Sequence, residues 1–95
     1  TGVWFASSHW NIEPEIMVLG KTLASGYQPI GAVVTTTKLA NEFTGEGKNL
    51  KMAHTLAGHP AGTVASLANL TIIENEGLVN HSKKMGPYLY EGLKT

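Results

Sequence analysis

Residues 16–31 read IMVLGKTLASGYQPIG and carry the strongest structural signal in the chain. The continuous apolar run from Ile16 to Leu19, closed by Gly20, predicts a short and fully buried strand. A second strand is predicted over residues 30–36, where β-branched side chains dominate. The link between the strands is short and contains glycine and proline. We therefore expect a hairpin-like antiparallel return, because a parallel neighbour needs a longer connection.

Lys21 comes directly after the first predicted strand, at its carboxyl end. Ligands of α/β proteins usually bind at that edge of the sheet, and a primary amine there suits Schiff-base formation with a carbonyl. An ammonium ion is a poor nucleophile, so such a lysine must be made neutral by burial or by nearby positive charge. We expect Leu19, Leu23 and Ile30 to form the dry walls around it. The local sequence leaves an alternative open, in which Lys21 is a solvated turn lysine, as most lysines are.

The composition argues against several classes of function. The 95 residues allow one small domain at most, and they include seven Lys and seven Glu but no Arg, Asp or Cys. The formal net charge is zero and the lysines are scattered, so we expect no nucleic-acid or membrane partner. No apolar run reaches the roughly 20 residues that cross a bilayer. The lack of cysteine fits a reducing compartment, and we expect a cytoplasmic protein.

Two longer helices are predicted in the second half of the chain. Pro60 fits the first helical position, residues 61–76 are good helix formers, and Gly77 fits just past the helix end. Apolar residues cover more than one face of this helix, so we expect it to be buried between layers. Helical spacing resumes over residues 78–93, where Pro87 is expected to end, bend or restart the helix. The alternation of strands and helices indicates an α/β fold.

The four histidines do not predict a metal site. No pair of them is spaced i, i+4, no cysteine is present, and no carboxylate completes a recognisable ligand set. We expect His59 to be a structural residue beside the start of the helix at Pro60. No metal is therefore assigned.

Three blocks of sequence carry a family resemblance. They are FASSHWNIEPEIM at residues 5–17, GKTLASGYQPIGA at 20–32 and HTLAGHP at 54–60. In this order and spacing they resemble the class III aminotransferases that depend on pyridoxal phosphate, and the members that act on amines and ω-amino acids with pyruvate are most similar. The resemblance implies that the chain is an internal fragment of the large domain of such an enzyme.

The resemblance also implies a fold. Enzymes of this family have fold type I, a three-layer α/β/α architecture with a mostly parallel sheet. Residues 1–77 would then be part of the domain that binds pyridoxal phosphate, and residues 78–95 would begin the connection to the carboxyl-terminal small domain. The strand over residues 30–36 would be the antiparallel member that such sheets contain.

Two site residues follow from the resemblance. It implies that Lys21 forms the Schiff base with pyridoxal phosphate and, once displaced by a substrate amine, moves the proton between substrate and cofactor. It implies that Thr55 reaches the cofactor phosphate in the partner subunit of a homodimer. A hydroxyl donor just ahead of a helix start suits an anion. From spacing alone, however, Thr55 could equally be an ordinary threonine in a capping loop.

Residues that the family uses are absent from this chain. Relatives pair an Asp with the pyridine nitrogen and often hold substrate carboxylates with Arg, and the chain contains neither residue type. We expect the parent protein to transfer an amino group from an amine or ω-amino acid to a keto acid such as pyruvate, and the isolated chain to be inactive. Two alternatives stay open: a non-catalytic fragment or pseudo-enzyme domain, and a mutase or racemase of the same family.

Overall fold

The computed structural model describes residues 1–94, so Thr95, the last residue of the predicted 78–95 segment, lies outside the described residues. The described chain contains both strands and helices and is therefore α/β, as predicted. Its strands are β1 (Ile16–Leu19) and β2 (Ala32–Thr35), and its α-helices are α1 (Thr37–Asn41), α2 (Pro60–Asn75) and α3 (Leu78–Leu93). Short 3-10 helices lie at Ala6–Trp10 and Lys21–Leu23.

The two strands form an antiparallel hairpin. Ile16 pairs with Thr35 and Leu19 pairs with Ala32, which confirms the predicted return of the chain. β2 is shorter than the predicted 30–36 segment. The mostly parallel sheet expected from the resemblance is not seen among residues 1–94, where the sheet has two strands only. A parallel pair needs a crossover of a dozen or more residues that is usually helical, and the link in this hairpin contains only the 3-10 turn.

Helix α2 begins and ends where the sequence predicts. Its first residue, Pro60, lacks an N–H that the first turn would leave unpaired in any case. The carbonyl of His59 accepts hydrogen bonds from the backbone N–H of Thr63 at 3.1 Å and from its hydroxyl at 3.0 Å. These bonds involve the backbone of His59, so the structural role expected of its side chain stays a prediction. After the helix, Gly77 has φ 62°, a left-handed conformation that glycine adopts without steric cost.

Pro87 neither ends nor restarts helix α3, and a bend at this residue stays a prediction. The helix runs without a break from Leu78 to Leu93, with Pro87 inside it. Proline removes one backbone hydrogen bond, here the one to the carbonyl of Lys83. The other hydrogen bonds of the 16-residue helix remain available to hold it, so the proline does not divide the element.

Residues 14–69 form one compact unit. Within it Ala24 is fully buried, whereas Val18 on β1 is 78% exposed. On α2, Val64 and Leu67 are 65% and 66% exposed. The expectations of a fully buried strand and of a helix buried between layers are therefore not met by the described chain, because its two strands and three helices do not provide a second covering layer.

A second compact unit combines Thr1–Glu13 with the chain from Leu70 onward. In this unit Gly2 is buried and has φ 75°. A Cβ atom at Gly2 would lie 2.9 Å from Cα of Lys83, so only glycine allows this approach of the first residues to α3.

None of the helices within residues 1–94 has both the length and the apolar character that a membrane span requires.

Candidate functional site

Lys21 lies at the carboxyl end of β1, where the sequence places it. It follows Gly20 directly and is the first residue of the 3-10 helix Lys21–Leu23. Its backbone is left-handed, with φ 47°. That conformation costs a residue with a side chain roughly 1–2 kcal/mol, and it persists only where neighbouring contacts fix it.

Backbone hydrogen bonds close the turn around Lys21. The N–H of Leu23 donates to the carbonyl of Gly20 at 3.0 Å, and the N–H of Ala24 donates to the carbonyl of Lys21 at 3.2 Å. The N–H of Tyr27 then donates to the carbonyl of Ala24 at 2.9 Å. We call residues 20–27 the lysine bend.

Asn69 on α2 holds the lysine bend from the side. Its Nδ2 donates to the carbonyl oxygens of Thr22 at 2.7 Å and of Leu23 at 3.2 Å. Its Oδ1 accepts a hydrogen bond of 2.7 Å from the hydroxyl of Ser25, whose backbone is also left-handed with φ 48°. One side chain thus bonds three residues of the bend, which follow Lys21 closely in the chain.

Small side chains allow α2 to approach this part of the chain closely. Gly62 and Ser66 are the buried residues of α2, and they precede Asn69 by seven and three residues on the helix. A Cβ atom at Gly62 would lie 3.4 Å from Cδ1 of Ile30. Because positions i, i+4 and i+7 share a helix face, this face carries close packing against Ile30 at one end and the amide of Asn69 at the other.

The amine of Lys21 is not engaged by an acidic residue. Within the described part of the chain, the one salt bridge joins Lys94 to Glu91, and the Lys21 side chain is exposed. An amine without a bound carboxylate fits a Schiff-base lysine. The predicted dry walls do not enclose it, however, because Leu19, Leu23 and Ile30 are themselves only half-buried in this chain.

Thr55 lies in an exposed turn ahead of α2. The turn is closed by the N–H of Ala57, which donates to the carbonyl of His54 at 2.9 Å, and by the N–H of His59, which donates to the carbonyl of Leu56 at 3.1 Å. No hydrogen bond of the described chain involves the Thr55 hydroxyl, and none joins Thr55 to Lys21. Thr55 is therefore not a cap of α2, and its hydroxyl is available to an acceptor outside the described chain.

Sequence reasoning missed Asn69 and Ser25. An asparagine in the middle of a predicted helix is a weak signal, because it is a poor helix former whose side chain often bonds backbone groups instead. Its partners are 46 and 47 residues away in sequence, which local patterns do not reveal. Among residues 1–94, no group of three or more His, Asp or Glu side chains is arranged to hold a metal ion.

Comparison with known proteins gives consistent matches. The family model described as "Aminotransferase class-III" matches residues 1–95. The chain is 41% identical over 98 residues to a taurine–pyruvate aminotransferase of Bilophila wadsworthia, in a match that covers 99% of this chain and 22% of that protein. These matches confirm the resemblance carried by the three sequence blocks.

Two solved structures are also similar. An S-selective transaminase from Arthrobacter sp. with alanine bound superposes with a TM-score of 0.91 at 35% identity, covering 99% of this chain and 20% of that one. A Bacillus anthracis aminotransferase gives a TM-score of 0.92 at 34% identity, with 99% and 21% covered. The chain thus spans about a fifth of the length of the relatives it matches.

Proposed function

Because this chain belongs to the class-III aminotransferase family, we propose that the protein containing it transfers an amino group from an amine or ω-amino acid to a keto acid, with pyridoxal phosphate as cofactor. Pyruvate is the proposed acceptor, a choice supported by the name of the taurine–pyruvate relative. The aminotransferase activity of the whole protein, its donor, its acceptor and its cofactor are all parts of the proposal, because the chain spans about a fifth of the length of these relatives.

The observation that carries the proposal is the geometry of Lys21. Its amine projects from a left-handed residue at the end of a strand, and the bend that carries it is held by Asn69. When bound, the cofactor supplies an aldehyde carbon and a ring that withdraws electrons from the substrate. In the proposal Lys21 would hold the cofactor through its amine, with loss of water, and, once freed by a substrate amine, would move a proton from the substrate carbon to the cofactor.

Thr55 has a separate place in the proposal. Its exposed hydroxyl, which makes no hydrogen bond within the described chain, would donate to the cofactor phosphate bound by a second copy of the protein. A homodimer follows, since each pocket would be incomplete without the other subunit. We further propose the three-layer fold type I for the whole large domain, with residues 1–77 inside it and residues 78–95 beginning the connection to the small domain.

The residues missing from the chain must come from elsewhere in the proposed enzyme. In this family an Asp pairs with the pyridine nitrogen and Arg residues often hold substrate carboxylates, and this chain has neither residue type. We therefore propose that the isolated 95 residues are inactive. The same absence favours the second candidate, a non-catalytic domain that keeps the packing of the family.

The experiment that tests the proposal is a half-reaction on the full-length protein. An amine donor is added without any keto acid, and the oxo product is counted per subunit, with Lys21→Ala as the control. Transfer gives one equivalent of oxo product, which the variant loses. A mutase or racemase changes the donor without consuming it, and a non-catalytic protein leaves it untouched; either result contradicts the proposal.

A further inference from the structure

We propose that Asn69 is a positioning residue for Lys21, whose amide fixes the direction in which the lysine side chain leaves the strand end. This inference rests on the proposed function, because it matters for catalysis only if Lys21 reacts. It assigns a role to a residue of α2 that lies 48 positions after the lysine and acts through the backbone rather than through contact with substrate.

The hydrogen bonds give the Asn69 amide one orientation. Nδ2, a donor, faces the carbonyl oxygens of Thr22 and Leu23, and Oδ1, an acceptor, faces the hydroxyl of Ser25. If the amide were turned over, an acceptor would face two acceptors, and both donor bonds would be lost. The network therefore specifies asparagine by its chemistry and not only by its size.

The bonded carbonyls immediately follow Lys21. The Thr22 carbonyl belongs to the peptide group between Thr22 and Leu23, so its hydrogen bond restricts the backbone of Thr22, the residue bonded to Lys21. Lys21 and Ser25, at either end of this segment, have φ 47° and 48°, values that a free chain rarely adopts. Release of the carbonyls would let the bend relax and would swing the Lys21 side chain away from its direction.

Displacement of a reacting group is costly in rate. A shift of about 1 Å at a catalytic group lowers the rate about 100-fold, and the long lysine stem amplifies a change in backbone direction. The helix face that carries Asn69 is held close to the bend by Gly62, beside Ile30. The position of helix α2 thus determines the position of the Lys21 amine through the side-chain amide of Asn69.

Asn69→Asp is the sharpest variant, because aspartate has the same shape but presents only acceptors to the two carbonyl oxygens. Asn75→Asp is its matched control: it makes the same chemical change on the same helix, at an exposed residue for which the described chain shows no side-chain hydrogen bond. Ser25→Ala is a second test that removes one of the three bonds and leaves α2 unchanged, which keeps the inference testable if Asn69→Asp does not fold.

The first measurement uses the full-length protein without cofactor. Hydrogen exchange is followed at the backbone N–H groups of Leu23, Ala24 and Tyr27, which close the bend. We expect Asn69→Asp to speed exchange about tenfold or more and Ser25→Ala to speed it about twofold or more, with no change in Asn75→Asp. Equal exchange in all four proteins would overturn the inference.

The second measurement separates positioning from general stability. In single turnovers of an amine donor by the holoenzyme, Asn69→Asp should lower the rate about tenfold. In a Lys21→Ala background whose activity is restored by an added small primary amine, the same substitution should lower the rate less than twofold, because a residue that acts through Lys21 has no effect once a free amine replaces it. An equal loss in both backgrounds would overturn the inference.

The failure of this inference can be told apart from the failure of the proposed function. If the wild-type protein forms no adduct with pyridoxal phosphate at Lys21, the proposed function itself fails. If the wild-type adduct forms but the single-turnover rate of Asn69→Asp equals that of the wild type, this inference alone is overturned.

Discussion

Asn69 Nδ2 lies 2.7 Å from the carbonyl oxygen of Thr22, the residue that follows Lys21. This hydrogen bond connects the middle of α2 to the bend at the end of β1, across 47 residues of sequence. It is reinforced by the bond from Ser25 to the same amide. The lysine expected to do chemistry is thus held by a helix and not by its own strand alone.

Removal of the Asn69 side chain should destabilise the protein. Asn69→Ala loses the bonds to Thr22, Leu23 and Ser25, and we expect a loss of about 2–3 kcal/mol in the free energy of unfolding, since each neutral hydrogen bond contributes about 1 kcal/mol. Asn75→Ala is the control, because it makes the same substitution on the same helix at an exposed residue for which the described chain shows no side-chain hydrogen bond. Thermal unfolding of the full-length protein measures the difference; equal melting temperatures for the two variants would contradict the stabilising role.

Gly2 should tolerate no side chain. Gly2→Ala places a Cβ atom 2.9 Å from Cα of Lys83 at a residue with φ 75°, and we expect a loss of roughly 1–3 kcal/mol from the clash and the strained backbone. Gly92→Ala, at a position of α3 where an added Cβ atom meets nothing within 4 Å beyond its chain neighbours and its own helix backbone, should change stability little or raise it. Denaturant unfolding of the full-length variants tests this, and a stable Gly2→Ala protein would refute the close approach.

Thr55 should contribute to cofactor affinity without reacting. Thr55→Val removes a hydroxyl that we propose donates to the phosphate, and the dissociation constant for pyridoxal phosphate should rise about tenfold or more, as expected for a hydrogen bond to a charged group. Thr44→Val is the control, because the Thr44 hydroxyl donates to the carbonyl of Asn41 within its own loop. Fluorescence titration of the cofactor measures both, and equal affinities would remove Thr55 from the site.

The sequence predicted the local elements well and the long-range contacts poorly. The bounds of β1 and the start of α2 follow from an apolar run closed by Gly20 and from a proline at the first helical position. The place of Lys21 follows from β1. The hairpin return followed from the shortness of the link, so the position of the candidate nucleophile was predictable from residues close to it in the chain.

Other features depend on residues that lie far apart. The bond from Asn69 to the lysine bend joins elements that no local pattern relates. Pro87 was expected to end, bend or restart α3, and the helix neither ends nor restarts there, because a single missing hydrogen bond does not divide a helix of 16 residues. The exposure of Val18 and Val64 was not expected from their apolar neighbours. A hydrophobic pattern predicts which side chains face a core, but it does not show whether the chain contains the layer that would cover them.

The most direct test of the central claim is borohydride reduction of the full-length protein incubated with pyridoxal phosphate, followed by peptide mass spectrometry. We predict one adduct per chain, confined to Lys21, absent in Lys21→Ala and retained in Lys48→Ala, which removes an exposed lysine of the loop before α2. Scattered substoichiometric labelling of several lysines, unchanged in Lys21→Ala, would contradict the assignment of Lys21 and with it the proposed transaminase.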